Sequence, residues 1–154
     1  MTLQDAFNSD RGPALDGRSE DDILELLQTA EIAETGLHPD GSNYVFIVRF
    51  ETDLGGDVPL LGVYKPQSGE RPLRDFPSGL HKRERASYLL SRILGWPAIP
   101  PTVIRDGPHG EGSVQMFIHA DAEETYFTMR DEQSEQFEPI AGFDIVVNNA
   151  DRKG

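Results

Sequence analysis

Alternating apolar positions predict a series of strands in the first 120 residues. Residues 30–52 predict two strands joined by the turn formers of 38–43, and along 44–50 apolar side chains occupy both strand faces. The segment LLGVYKP predicts a third strand that stops at Pro66, because proline has no N–H to donate to a sheet. A hairpin with a glycine-rich turn is predicted over 102–118.

Three segments of the chain show the spacing of apolar residues that is typical of a helix. Ser19 precedes three acidic residues, which is typical of a helix start, and ILELLQTA then places four apolar side chains on one stripe. The segment LHKRERASYLLSRILGW predicts a second helix, with an apolar stripe opposite a basic face. Residues 120–147 are acidic and predict further helix, including PIAGFDIVV, which we expect to begin near Pro139.

The order of these elements predicts an α+β fold, in which an antiparallel sheet packed by one helix precedes the beginning of a helical lobe. Residues 1–18 are polar, contain Gly and Pro and show no periodicity, so we predict a flexible N-terminal arm. We place the sheet-bearing domain at 19–119 and the start of the helical lobe at 120–154.

Composition narrows the choice of partners. The 154-residue chain has a formal net charge of −13, which repels phosphate backbones, so we do not expect nucleic acid as a partner. The basic run HKRER at 81–85 is a local candidate for binding an anion. The absence of cysteine excludes disulfides and thiolate metal sites, and no apolar run approaches the roughly 20 residues needed to cross a bilayer. We therefore expect a cytoplasmic protein without stable membrane insertion.

Lys65 and Glu84 are the first candidates for chemistry. Lys65 shares a predicted strand face with Leu61 and Val63, and a charge on an apolar face needs a partner. Glu84 lies in the following predicted helix, which can point it at the lysine and so hold the ammonium for phosphate contacts. The alternatives are an edge-strand lysine that reaches water and a glutamate in a solvated charged run.

Two further segments are candidates for nucleotide contacts. The turn Gly41-Ser42-Asn43 would leave backbone N–H groups free to hold an anion, or it is an ordinary hairpin turn. The segment at 115–118 leaves the predicted sheet toward the acidic helices, so in a two-lobed protein its backbone groups would be placed to bind a purine. The alternative for 115–118 is a core strand.

The C-terminal segment FDIVVNNADRKG contains a candidate catalytic carboxylate. Asp151 follows an apolar helix and is flanked by Asn149 and Arg152. A carboxylate can orient an attacking hydroxyl and accept its proton, while a nearby arginine offsets phosphate charge. The alternative is an ordinary helix C-terminus, where Asn, Gly and basic residues are common.

Other catalytic arrangements find no support in the sequence. The histidines at 38, 81, 109 and 119 show no metal-ligand spacing, so we treat them as surface or turn residues and predict no metal ligands. The phosphate-binding pattern GxxxxGK[ST] does not occur, which argues against that class of NTPase.

Three segments together resemble the phosphatidylinositol 3- and 4-kinase-like superfamily, in particular its small bacterial branch known from actinobacteria. They are LLGVYKPQSGERPLRDFPSG, RERASYLLSRILGWPAIPPTVIRDGPHGEGSVQMFI and FDIVVNNADRKG, and the resemblance extends over about residues 28–154. It implies a two-lobed kinase-like fold, with the N-lobe at 19–119 and the C-lobe beginning at 120. It also implies ATP and Mg²⁺ (or Mn²⁺) as cofactors.

The resemblance also implies a role for each candidate residue. Lys65 would contact the ATP phosphates and pair with Glu84, and Asp151 would be the catalytic aspartate. The supporting residues would be Ser42 and Asn43 in the phosphate-covering loop, Gln115, Met116, Phe117 and Ile118 in the hinge near adenine, and Asn149 and Arg152 in the catalytic loop.

One departure limits what we expect of this chain. In such kinases a metal-binding Asn and then a metal-binding Asp follow the catalytic loop, and this sequence ends at Gly154, before both. We therefore expect a fragment that is inactive alone, from a parent that phosphorylates a hydroxyl of a protein, small-molecule or lipid acceptor. The competing hypotheses are a non-catalytic nucleotide-binding or protein-interaction module and an acidic α+β domain with no nucleotide site.

Overall fold

The structure is a computed structural model that describes residues 1–8, 18–39, 44–52, 59–74, 76–121 and 123–149. Apart from an additional N-terminal helix and a short 3₁₀ helix at Gln67–Gly69, its elements follow the predicted α+β order. The α-helices are α1 (Leu3–Phe7), α2 (Glu20–Thr29), α3 (Leu80–Leu94), α4 (Tyr126–Met129) and α5 (Ser134–Val146). The strands are β1 (Glu31–Leu37), β2 (Phe46–Glu51), β3 (Leu61–Pro66), β4 (Thr102–Gly107) and β5 (Gly110–Met116).

The chain divides into two compact units. The first comprises residues 1–88 and 100–119, and the second comprises residues 89–99 and 120–154. The first unit contains the whole sheet, and its second segment ends at residue 119. Our predicted domain bounds stay a prediction.

All five strands form one antiparallel sheet in the order β1-β2-β3-β5-β4. The register pairs Ile47 with Val63 and Lys65 with Ser113, so these side chains lie on the same sheet face. Neighbouring positions such as Val48 and Tyr64 point to the opposite face. The predicted antiparallel sheet and its C-terminal hairpin are therefore confirmed.

Helix α2 covers the face of the sheet that carries most of the core. Ser19 caps it as predicted, because the Ser19 hydroxyl accepts from the Asp22 N–H and the Asp22 carboxylate accepts from the Ser19 N–H at 2.8 Å. Ile23 and Leu27 of this helix are buried against Phe46, Val48, Phe50, Tyr64, Val103, Val114 and Met116. Burying such side chains contributes about 1.5–3 kcal/mol each, so this cluster is the main source of stability in the first unit.

Helix α1 packs on the other face of the sheet, where we had predicted part of a flexible arm. Thr2 and Asp5 form a capping box at its start. Ala6 is completely buried together with Ile47 and Leu61. The structure differs from the sequence-based expectation because α1 is too short to have a detectable apolar period, and tertiary contacts stabilise it instead.

Helix α3 begins after Gly79, which has a φ of 99°, a conformation that favours glycine. The carboxylate of Glu70 accepts hydrogen bonds from the backbone N–H groups of Gly79 (2.8 Å) and His81 (2.9 Å). A side chain from the preceding loop thus satisfies donors at the start of this helix. This cap fixes the first turn of α3, one turn before Glu84.

The second unit is built on α5, whose start we predicted wrongly. We expected the helix to begin near Pro139, but α5 starts at Ser134 and contains Pro139 in its interior. Proline in the sixth position removes one helical N–H donor, and the rest of α5 still forms. Phe143 is buried in this unit and packs edge-to-face on Trp96, with ring centroids 6.1 Å apart.

Candidate functional site

Lys65 and Glu84 form an ion pair in the first unit. The Lys65 Nζ lies 2.6 Å from Glu84 Oε1. β3 supplies the lysine on the face that also carries Leu61 and Val63, and α3 supplies the glutamate. The pairing that we predicted from the sequence is therefore present in the structure. The catalytic roles of the two residues stay predictions.

Ser113 on β5 fixes the second oxygen of the glutamate. Its hydroxyl donates to Glu84 Oε2 at 2.8 Å, and Ser113 is buried directly opposite Lys65 in the strand register. Both carboxylate oxygens thus have a donor, which restricts the rotation of the Glu84 carboxylate. The sequence analysis missed Ser113, because only the register between β3 and β5 brings it next to Lys65.

The Lys65 ammonium remains accessible to an anion. Its side chain is 42% exposed and that of Glu84 is 34% exposed. An ammonium has three N–H donors, and Glu84 uses one of them in the part of the chain that the structure describes. The arrangement holds a cation in a defined position with donors left for oxygen atoms of a ligand such as phosphate.

The segment that we predicted to contact a purine is mostly engaged in the sheet. The Met116 N–H donates to the Pro101 carbonyl at 2.8 Å, and the Phe117 N–H donates to the Leu61 carbonyl at 2.9 Å. The Gln115 side-chain amide donates to Thr102 Oγ1 at 3.0 Å. Ile118 follows the end of β5 and is about half exposed. Of the four predicted residues, Ile118 is therefore the most exposed, and its contact with a purine stays a prediction.

The C-terminal candidates lie partly outside the described residues. Asp151 and Arg152 are among the residues that the structure does not describe, and Ser42 and Asn43 of the predicted phosphate-covering loop are likewise outside it. Their predicted roles therefore stay predictions.

Asn149 lies in a helix-terminating motif after α5. The Asn149 N–H donates to the Asp144 carbonyl at 2.8 Å, and the Asn148 N–H donates to the Ile145 carbonyl at 3.2 Å. Asn148 itself has a φ of 54°. These two bonds around a left-handed residue define a Schellman motif. The Asn149 side chain also donates to Asp144 Oδ1 at 2.9 Å. The asparagines thus stop the helix, as one of our two interpretations expected, and leave the catalytic interpretation of the following residues open.

His81 is a buried residue, which corrects our prediction of a surface histidine. Its Nδ1 lies 2.8 Å from Glu70 Oε1 and its Nε2 lies 3.0 Å from Glu111 Oε1. Both ring nitrogens thus face carboxylate oxygens. His81 therefore links three segments of the first unit, and this surrounding makes it a structural residue rather than part of an exposed anion-binding run.

The carboxyl group of Glu70 is strongly perturbed in this cluster. Its burial raises the pKa, but hydrogen bonds from the His81 ring and from the backbone N–H groups of His81 and Gly79 outweigh burial and lower the pKa to about 2. Glu70 is therefore ionised over the whole physiological range. This charge holds the start of α3 in place.

No group of three or more His, Cys, Asp or Glu side chains that could bind a metal ion occurs within the described ranges. None of the helices described is long and apolar enough to cross a membrane.

The fold and the site define an α+β protein with a five-stranded antiparallel sheet and a lysine–glutamate pair between its third strand and third α-helix. The sequence is similar to Protein Rv2133c of Mycobacterium tuberculosis, with 34% identity over 170 aligned positions that cover 87% of this chain. The chain spans 60% of the length of that relative. No family model matches the chain, and no solved structure matches it.

Proposed function

We propose that this chain is the nucleotide-binding part of a kinase-like phosphotransferase, of the phosphatidylinositol 3- and 4-kinase-like type. The observation that carries the proposal is the ion pair between Lys65 on β3 and Glu84 on α3. In protein kinases a lysine on the third strand contacts the ATP phosphates and pairs with a glutamate of the following helix. Here too a lysine on the third strand pairs with a glutamate on the helix that follows it, so the first unit would act as an N-lobe.

The described residues would have distinct roles in this function. Lys65 would bind oxygen atoms of the ATP phosphates, and Glu84 would hold the ammonium in place. Ser113 would orient the Glu84 carboxylate, and the backbone of Ile118 would contact the adenine. We also propose the roles that the resemblance implies for the residues outside the described ranges: Ser42 and Asn43 would cover the phosphates, and Asp151 with Arg152 would belong to the catalytic loop.

The reaction of the whole protein would be transfer of the ATP γ-phosphoryl group to a hydroxyl. The acceptor would be a protein, a small molecule or a lipid. Mg²⁺ or Mn²⁺ would accompany ATP, but the described residues contain no cluster that fits a metal ion, so we derive no step through it. We expect this chain to bind ATP in the cytoplasm.

One observation favours the alternative of a non-catalytic interaction module. Ile145 and Val146 near the end of α5 are 82% and 66% exposed. Exposed apolar residues of this kind are typical of surfaces that bind another protein. Sedimentation analysis separates the possibilities, because self-association without any nucleotide binding would support the interaction module and contradict the kinase proposal.

Nucleotide-dependent thermal stabilisation tests the proposed function. The melting temperature is measured for the wild type, Lys65→Ala and Lys82→Ala with and without ATP and Mg²⁺. Lys82 is an exposed lysine of the same helix as Glu84, so Lys82→Ala removes the same charge without touching the ion pair. A ligand at 100 times its Kd stabilises a protein by about 2.7 kcal/mol.

We expect ATP to raise the melting temperature of the wild type and of Lys82→Ala, but not of Lys65→Ala. The kinase proposal is rejected if ATP stabilises neither the wild type nor Lys82→Ala.

A further inference from the structure

Helix α1 lies on the apolar sheet surface that continues from Lys65. Leu61, Val63 and Lys65 alternate along one face of β3, and Ile47 on β2 stands opposite Val63 on that face. Ala6 of α1 is completely buried with Ile47 and Leu61, and Leu3, Phe7 and Val63 pack around them. The surface next to the proposed phosphate-binding lysine is thus covered by the N-terminal helix.

Specific contacts hold α1 at this position. The Phe7 ring packs on Phe117, which follows β5, with ring centroids 5.3 Å apart. The Leu3 N–H donates to Glu34 Oε2 at 2.6 Å, and the other carboxylate oxygen of Glu34 pairs with Arg49 Nη2 at 2.7 Å. These contacts join α1 to β1, β2 and the segment after β5.

Two features indicate that α1 can leave this surface without unfolding the sheet. Helix α1 has five residues, which is far below the roughly 12–15 residues that a helix needs to be stable by itself, so it depends on docking. The main core, which packs α2 on the opposite face, contains no residue of α1.

We propose that α1 is an autoinhibitory element, which covers the sheet surface on which the base of a bound nucleotide would stack. This inference rests on the proposed function. With its phosphates at Lys65, a nucleotide would place its base along the same sheet face, over Val63, Leu61 and Ile47. A purine ring and the side chains of α1 need the same apolar area, so each excludes the other.

A matched pair of substitutions in α1 tests this competition. Ala6→Glu places a charge in the buried contact with the sheet, and Gln4→Glu places the same charge on the exposed side of the same helix. Phe7→Ser is a second variant that removes the ring contact with Phe117. Dissociation constants are measured by displacement of a fluorescent ATP analogue, with ATP and with inorganic tripolyphosphate as competitors.

We expect Ala6→Glu and Phe7→Ser to bind ATP about tenfold more tightly than the wild type, because the covered state no longer competes. Gln4→Glu should bind ATP like the wild type. Tripolyphosphate has no base, so its affinity should be the same in all four proteins. Hydrogen exchange provides a second readout: saturating ATP should accelerate exchange of the Ala6 and Asn8 N–H groups, which are bonded to Thr2 and Gln4 carbonyls in the docked helix.

Failure of the autoinhibitory proposal can be distinguished from failure of the proposed function. If ATP binds the wild type but binds Ala6→Glu and Phe7→Ser equally or more weakly, or if α1 stays protected in saturating ATP, the autoinhibitory role is refuted and the proposed function stands. If ATP displaces the analogue from none of the four proteins, both proposals are refuted.

Discussion

The ionised carboxylate of Glu70 should be a major source of pH-dependent stability in the first unit. Its pKa is lowered from an ordinary value of 4.5 to about 2, and its side chain is only 13% exposed. A depressed carboxyl pKa stabilises the folded state fully above the unfolded pKa, and this stabilisation is lost as the pH falls through the folded value. The shift corresponds to about 3 kcal/mol at pH 7 and about 1.4 kcal/mol at pH 3.

Glu70→Gln is the perturbation that isolates this contribution. The neutral amide cannot carry the charge that faces His81, and it turns one acceptor into a donor toward the backbone N–H groups at the start of α3. We expect the variant to lose about 3 kcal/mol of unfolding free energy at pH 7. The difference from the wild type should shrink to less than half of that at pH 3.

The assay is urea unfolding followed by near-UV circular dichroism of the buried Tyr64 and Tyr88, both in the first unit. Glu111→Gln serves as the control, because Glu111 is 48% exposed and contacts the other nitrogen of His81. It should change stability by less than about 1 kcal/mol. A Glu70→Gln effect no larger than that of Glu111→Gln, or one that is the same at pH 7 and pH 3, would refute the reasoning.

Three further substitutions test the packing inside each unit: two lie in the first unit and one lies in the second. Gly62→Ala should destabilise by about 1–3 kcal/mol in urea, because the added Cβ would lie 2.9 Å from Val114 Cγ1 and the neighbouring side chains would have to shift. An unchanged unfolding midpoint would contradict the tight packing between β3 and β5. Gly142→Ala in α5 should stabilise by up to about 1 kcal/mol in thermal melting, because nothing lies within 4 Å of the added carbon; a lower melting temperature would contradict the α5 helix. Arg105→Met should destabilise by about 2 kcal/mol, because the Arg105 guanidinium donates to two backbone carbonyls at the end of α2, at 3.0 and 2.8 Å; a neutral effect would mean that β4 does not anchor this helix.

The sheet and the ion pair were predictable because they depend on local signals. Apolar and β-branched side chains along 44–50 indicated a strand, and β2 lies at Phe46–Glu51. We had predicted that one helix packs on the sheet, whereas α1 and α2 cover its two faces. Lys65 on an apolar strand face demanded a partner, and Glu84 in the next helix was the available carboxylate. Such inferences need only the periodicity of apolar residues along the chain and the fact that an unpaired charge on an apolar face is unfavourable.

The remaining features depend on register and long-range contacts. Ser113 meets Glu84 because β3 and β5 pair in one particular register, which the sequence does not specify. His81 is buried because Glu70 and Glu111, 11 and 30 residues away, converge on its ring. Helix α1 was not predicted because five residues are too few to show a helical period or to be stable as an isolated helix.

Covalent labelling by an acyl phosphate of ATP is the most direct test of the claim that Lys65 binds the nucleotide. The lysine amine attacks the acyl carbon, an amide forms and ATP leaves, so the reagent marks lysines that lie at bound phosphates. The chain has three lysines, at positions 65, 82 and 153, and peptide mass spectrometry resolves them. We predict that Lys65 is labelled preferentially and that excess ATP protects it. Equal labelling of Lys65 and the exposed Lys82, with no protection by ATP, would contradict the account.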